Sequence, residues 1–235
     1  MLELVGLRAQ LGQTRFDFSL SVADGEWVAI IGPSGAGKST LLNLIAGFVT
    51  PHAGQITVDG RDITRLQPAD RPVSSLFQEH NLFAHLTVAE NVGLGLDPGL
   101  RLDQAARKRL AEALEAVNIA ELAHSRPGTL SGGERQRVGL ARVLVRERPI
   151  LTLDEPLGQL DPALRHDMLD LIGTINRERR LTILMVIHTP EEAAAHVDRF
   201  LYLANGKIAA TLGPSDLQGS DLPEAVARYL GRRSA

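Results

Sequence analysis

Gly32-Pro33-Ser34-Gly35-Ala36-Gly37-Lys38-Ser39-Thr40 follows the apolar run Val28-Ala29-Ile30-Ile31 and leads into Leu41-Leu42-Asn43-Leu44-Ile45. These nine residues satisfy G-x-x-x-x-G-K-[ST] in the required context of strand, glycine loop and helix. A glycine-rich junction can be a turn and nothing more, yet the bare pattern arises by chance in roughly one chain of this length in a hundred. The glycines let successive backbone N–H groups curl around phosphates, and the helix start adds its positive end. Lys38 is placed to bridge the β- and γ-phosphates of a nucleotide, and the Ser39 hydroxyl to ligate Mg²⁺.

Two further apolar runs, Ile150-Leu151-Thr152-Leu153 and Thr182 to Ile187, match the strand before the loop. Strands buried on both faces read this way, which predicts a parallel α/β sheet. Elsewhere Phe16, Phe18, Leu20 and Val22 alternate with polar residues, and Gln55 to Val58 and Phe200 to Ala204 each run into a turn, Asp59-Gly60 or Asn205-Gly206. These pieces predict antiparallel additions around the central sheet. Asp161-Pro162 opens a helix with Leu164, Met168, Leu171, Ile172 and Ile175 on one face, and about Asp103 to Val117 forms another. The expected fold is α/β within a single domain, 1–235: a P-loop NTPase core with a mostly parallel sheet, an antiparallel β subdomain and an inserted helical subdomain at about 79–131.

The chain has 235 residues, with 25 Lys+Arg against 28 Asp+Glu and a formal charge of −3. That balance gives no field favouring nucleic acid, so none is expected as partner. With no cysteine, disulfide scaffolds, thiolate metal sites and cysteine nucleophiles are excluded. Met1-Leu2-Glu3-Leu4-Val5 does not resemble a secretion signal, and no apolar stretch reaches the ~18 residues needed to span a bilayer. A cytoplasmic protein with a peripheral membrane role, reached through a partner, is the expectation.

Asp154 and Glu155 end an apolar strand. A carboxylate there is costly unless it is paired or faces a cation, which suits Asp154 to Mg²⁺, while Glu155 could polarise an attacking water. Alone, the two acids could equally cap the turn at Pro156; beside the phosphate loop the catalytic reading is favoured. Leu130-Ser131-Gly132-Gly133-Glu134 heads a helix. Ser131 and Glu134 make a capping box, but such a box needs no glycine pair, which weakens a first turn. Bare backbone at a helix start is an anion site, and a second such surface makes sense if it serves another chain's nucleotide.

Together these residues resemble the ATP-binding subunits of ABC transporters, in the family's motif order and over nearly the whole chain. Walker A is Gly32 to Thr40, the Q-loop Leu76-Phe77-Gln78-Glu79, the signature Leu130 to Glu134, Walker B Ile150 to Glu155, the D-loop Leu160-Asp161 and the H-loop Val186-Ile187-His188. The resemblance implies ATP and Mg²⁺ as cofactors, Glu155 as the base, and His188 against the γ-phosphate. It also implies that Gln78 senses Mg²⁺ and the membrane partner, and that Asp161 links the two sites of a dimer. The implied partners are a second copy of the chain, integral permease subunits and, indirectly, a periplasmic solute-binding protein, at the cytoplasmic face of a bacterial inner membrane. Residues 41–48, 71–83 and 91–96 are more narrowly similar to the ATPases of thiamine importers.

Three positions depart from the family pattern: Glu134 stands where Gln is usual, Gly158-Gln159 precede Leu160-Asp161 in place of Ser-Ala, and Gly6 to Arg15 holds no aromatic to stack on adenine. Phe16 is the nearest aromatic, and its strand position predicts core packing instead. Leu82, Phe83 and Leu86 are expected to be exposed and to form the docking surface, with packing inside the helical subdomain as the alternative. A soluble ABC ATPase acting on DNA or ribosomes would usually carry coiled coils or two such domains, and a kinase or GTPase would leave the signature and His188 unexplained.

Overall fold

The computed structural model describes residues 1–77, 82–158, 160–219 and 222–232. Strands β1 (Leu2–Leu11) and β2 (Thr14–Val22) form a hairpin, followed by β3 (Trp27–Ile31) and helix α1 (Lys38–Ala46). After these come β4 (Ala53–Val58), β5 (Arg61–Asp62) and β6 (Val73–Leu76), then helices α2 (Val88–Gly93), α3 (Gln104–Ala116) and α4 (Gly132–Leu144). The chain returns through β7 (Ile150–Asp154), α5 (Pro162–Arg179), β8 (Thr182–Val186), α6 (Pro190–Ala193), β9 (Arg199–Ala204), β10 (Lys207–Leu212) and α7 (Glu224–Tyr229).

The ten strands among the described residues share one sheet, in the order β5-β4-β1-β2-β10-β9-β3-β8-β7-β6. The strands from β9 to β6 are parallel to one another, and β1, β2, β4 and β5 are antiparallel. The expected antiparallel piece is therefore a wing of the same sheet, attached by one rung between Lys207 of β10 and Asp17 of β2. Phe200 to Ala204, expected among the antiparallel additions, lies in the parallel core beside β3 and is antiparallel only to β10.

Each apolar run of the core feeds two hydrophobic cores. Trp27, Ala29, Ile31, Leu151, Leu153, Ile183 and Met185 face the helices α4 and α5. Val28, Ile30, Ile150, Leu184 and Val186 face α1 and the wing. Strands without a solvent face cannot alternate, and this is why the runs are continuous. Asp161 caps α5, as its sequence signal predicts, and Asp103 caps α3. Helices α2 and α3 pack on α4, so the helical layer continues past residue 131 into the helix that Ser131 opens. Among the described residues no helix is long and apolar enough to cross a membrane.

Candidate functional site

The parallel strands β3, β8 and β7 bring their C-terminal ends to one edge. Val186 pairs with Ile30 on one side and Asp154 on the other, so the loop after β3, the acids at the end of β7 and His188 after β8 open onto the same place. Gly32 begins the loop with φ 142°, and a Cβ there would lie 2.2 Å from the Leu203 carbonyl oxygen; no other residue fits. Gly37 holds φ 103° at the start of α1 and gives that helix no side-chain cap, leaving its positive end to an external anion.

Lys38 folds back over the loop, its ammonium donating to the carbonyls of Gly32 at 2.8 Å and Pro33 at 3.0 Å. It is 7% exposed, and burial pulls its pKa down while Glu155 and Asp154 act in the opposite direction. Asp154 is the counterpart: burial raises its pKa, and a hydrogen bond with Ser39 works against that rise. Its Oδ1 is buried without any hydrogen-bond partner. An orphaned carboxylate oxygen next to a hydroxyl is an all-oxygen donor pair, which fits a hard cation such as Mg²⁺. Among the described residues no group of three His, Asp or Glu side chains converges, so phosphate and water would complete such a cation's shell.

Glu155 turns the chain at φ 51°, a backbone conformation that costs a non-glycine residue free energy and occurs where the surroundings enforce it. Its Oε1 lies 2.6 Å from His188 Nε2. Ser131 to Glu134 stand apart: among the described residues no hydrogen bond joins them to the phosphate loop. The Glu134 carboxylate closes the capping box, accepting from the Ser131 N–H and hydroxyl at 2.7 Å each, and these bonds hold its pKa below the usual carboxylate value. Ser131 and Gly132 are exposed. Asp161 Oδ1 accepts from the Leu164 N–H at 3.0 Å and is exposed. Gln78 and Gln159 lie outside the described residues.

Phe16 is 6% exposed and packs on Phe18, as its alternating strand predicts. Leu82 does not meet the expectation of exposure: it packs against the helical-side core, and Leu86 is half-buried. Of the three, Phe83 alone is exposed. It borders a groove of about 730 Å³ with Phe77, Leu94, Leu96 and the arginines Arg109, Arg142, Arg146 and Arg148. The sequence reading did not single out these arginines, nor Arg71, which is 1% exposed and binds the carbonyls of Leu44, Ile45, Thr64 and Leu66. No local pattern announces either set, because each is assembled from separate segments.

A phosphate loop beside a half-buried acid, with a histidine against the next glutamate, is the arrangement of a nucleotide hydrolase of the P-loop class. The family profile described as "ABC transporter" matches residues 16–158, and the chain belongs to that family. It is 53% identical over 231 residues to the "Thiamine import ATP-binding protein ThiQ" of Brucella suis biovar 1, covering 98% of this chain and 95% of the relative. With the protein of the same name from Escherichia coli K12 it shares 57% identity over 192 residues, 82% of this chain and 83% of that one. A solved ABC cassette, MJ1267 in its ADP conformation, superposes with a TM-score of 0.89 at 27% identity, covering 99% of each chain. The dimeric cassette MJ0796 bound to ADP and Pi matches with a TM-score of 0.78 at 30% identity, over 91% of this chain and 99% of that one. The protein is thus an ABC ATPase.

Proposed function

We propose that this chain is the ATP-hydrolysing subunit of a bacterial thiamine importer, working as a pair of copies on the cytoplasmic face of the inner membrane. The arrangement of Lys38, Ser39 and Asp154 about one edge of the sheet carries the ATP-hydrolysing part of the reading, and the 53% and 57% identity to proteins named for thiamine import supports the solute. Gly32 to Thr40 would cradle the phosphates of ATP, with Lys38 exchanging its loop carbonyls for phosphate oxygens. Ser39 and Asp154 would hold Mg²⁺, with Gln78 contributing in turn. When bound, that cation screens the phosphate charge and withdraws electrons from the group being transferred. Glu155 would take the proton of an attacking water, and His188, touching the same carboxylate, would fix its direction and reach the γ-phosphate.

Ser131, Gly132, Gly133 and Glu134 are exposed or at the head of α4, away from their own phosphate loop, which suits them to the nucleotide of a second copy, with Asp161 carrying contact between the two sites. The dimeric state of MJ0796 supports this geometry. The groove bordered by Phe77 and Phe83 and lined by four arginines fits an acidic, apolar segment of a permease; the helical subdomain, about 79–131, would contribute Phe83, Leu94, Leu96 and Arg109 to that docking face, and the ends of β6 and α4 the rest. A periplasmic solute-binding protein would complete the system. Coexpression with the neighbouring permease in vesicles, with a screen of solutes on one side and ATP on the other, tests the reading. Thiamine-stimulated ATP hydrolysis is expected, and stimulation by a different solute alone would reassign the substrate.

A further inference from the structure

Arg165, on the first turn of α5, holds two segments that the proposed mechanism treats separately. Its Nε donates to the Leu160 carbonyl at 2.9 Å, and its guanidinium pairs with Glu192 Oε1 at 3.3 Å. Glu192 Oε2 in turn accepts from the Thr189 hydroxyl at 2.9 Å. Thr189 adjoins His188, whose Nε2 touches Glu155. Arg165 also lines, with Glu155, Leu157, Gly158, His188 and Thr189, a cleft of about 110 Å³. Leu160 is anchored at 4% exposure in the core, and Asp161, the next residue, is the exposed cap of α5.

We infer that Arg165 is a positioning residue: the Arg165–Glu192 pair ties the segment carrying Asp161 to the loop carrying His188, so that contact with a second copy sets the Glu155–His188 geometry. The inference rests on the proposed pairing of two copies. Arg165 and Glu192 side chains are 25% and 22% exposed, a partly desolvated pair that water screens less than a surface one. Arg165 reaches no phosphate-loop residue among the described hydrogen bonds and ion pairs, so its loss should leave nucleotide binding intact and misplace the base. Small misplacements of a reacting group cost up to about a hundredfold in rate.

The test uses the full-length chain with Arg165→Ala, Arg165→Lys, Glu192→Gln and the Arg165→Ala/Glu192→Gln double variant, read by kcat and KM for ATP and by thermal melts. Arg165→Ala and Glu192→Gln are each expected to lower kcat about tenfold with KM within about twofold, the double variant no further, and Arg165→Lys to recover part of the rate. In a Glu155→Gln background, Arg165→Ala should still dimerise with ATP. Unchanged kcat, additive losses in the double variant, or activity falling only as far as the melting temperature falls would overturn the inference and leave the pairing intact. A wild-type chain that neither dimerises with ATP nor hydrolyses it would overturn the pairing and this inference with it.

Discussion

Glu155 Oε1 and His188 Nε2 stand 2.6 Å apart, at the ends of two neighbouring strands. A carboxylate in contact with an imidazole is restricted in orientation, which a base aimed at a single water requires. Glu155→Gln is expected to keep ATP binding, lose turnover by about a hundredfold or more, and trap an ATP-bound dimer. Gel filtration with ATP and a phosphate-release assay check this; hydrolysis at the wild-type rate would place the base elsewhere.

Burial raises the Asp154 pKa, so its ionisation opposes folding. The sign follows from linkage: a raised acid stabilises the fold only while protonated, fully below its ordinary pKa, and loses that contribution as pH rises through the folded value. Asp154→Asn should therefore raise the melting temperature at pH 7 by about 2–4 °C, equivalent to about 1 kcal/mol. It should raise nothing near pH 3, and it should abolish Mg²⁺-dependent hydrolysis. A lower melting temperature at pH 7 would mean that the charge is already compensated.

For Glu134, local and intermolecular physics oppose each other. Its carboxylate takes both the N–H and the hydroxyl of Ser131, and at the head of α4 it would face a partner's γ-phosphate. Either Glu or Gln can close the box, so Glu134→Gln should leave the melting temperature within about 1 °C. The substitution should tighten ATP-dependent dimerisation and raise basal hydrolysis, less so as salt is added. Sedimentation at low and high ionic strength decides the matter, and equal dimerisation at every salt would leave Glu134 a cap only.

No aromatic stands in residues 6–15, and Phe16 is committed to the core. At the hairpin tip the exposed apolar side chain is Leu11, 44% exposed. Stacking on an aromatic is worth about 1–3 kcal/mol per base at nucleic-acid sites, and an aliphatic contact discriminates bases less. ATP and GTP should support similar rates, and a preference for ATP above about tenfold, ~1.4 kcal/mol, would show another residue reading the base.

What could be read in advance follows from how local each signal is. The core strands announce themselves because β3, β7 and β8 are apolar on both faces, and the phosphate loop because its glycines carry backbone needs no other residue meets. β1 hides its period behind a register shift between Leu4 and Leu7, where a bulge exchanges inward and outward positions. β6 has only Val73-Ser74-Ser75-Leu76 to show. Loop motifs around the site were legible one by one; the Arg165–Glu192 pair, 27 residues apart in sequence, and the arginine groove exist only once the chain has folded.

Arg71 sits where α1 ends, binding the carbonyls of Leu44 and Ile45 there and those of Thr64 and Leu66 across from it. At the other end of the same helix Lys38 grips the loop. A nine-residue helix held so is a short stiff rod, with no slack to take up a push. The helix that begins at the phosphate loop is thereby fastened at its other end, through one arginine, to the segment at residues 64–66 that follows β5, so the loop and the wing share a single rigid connection.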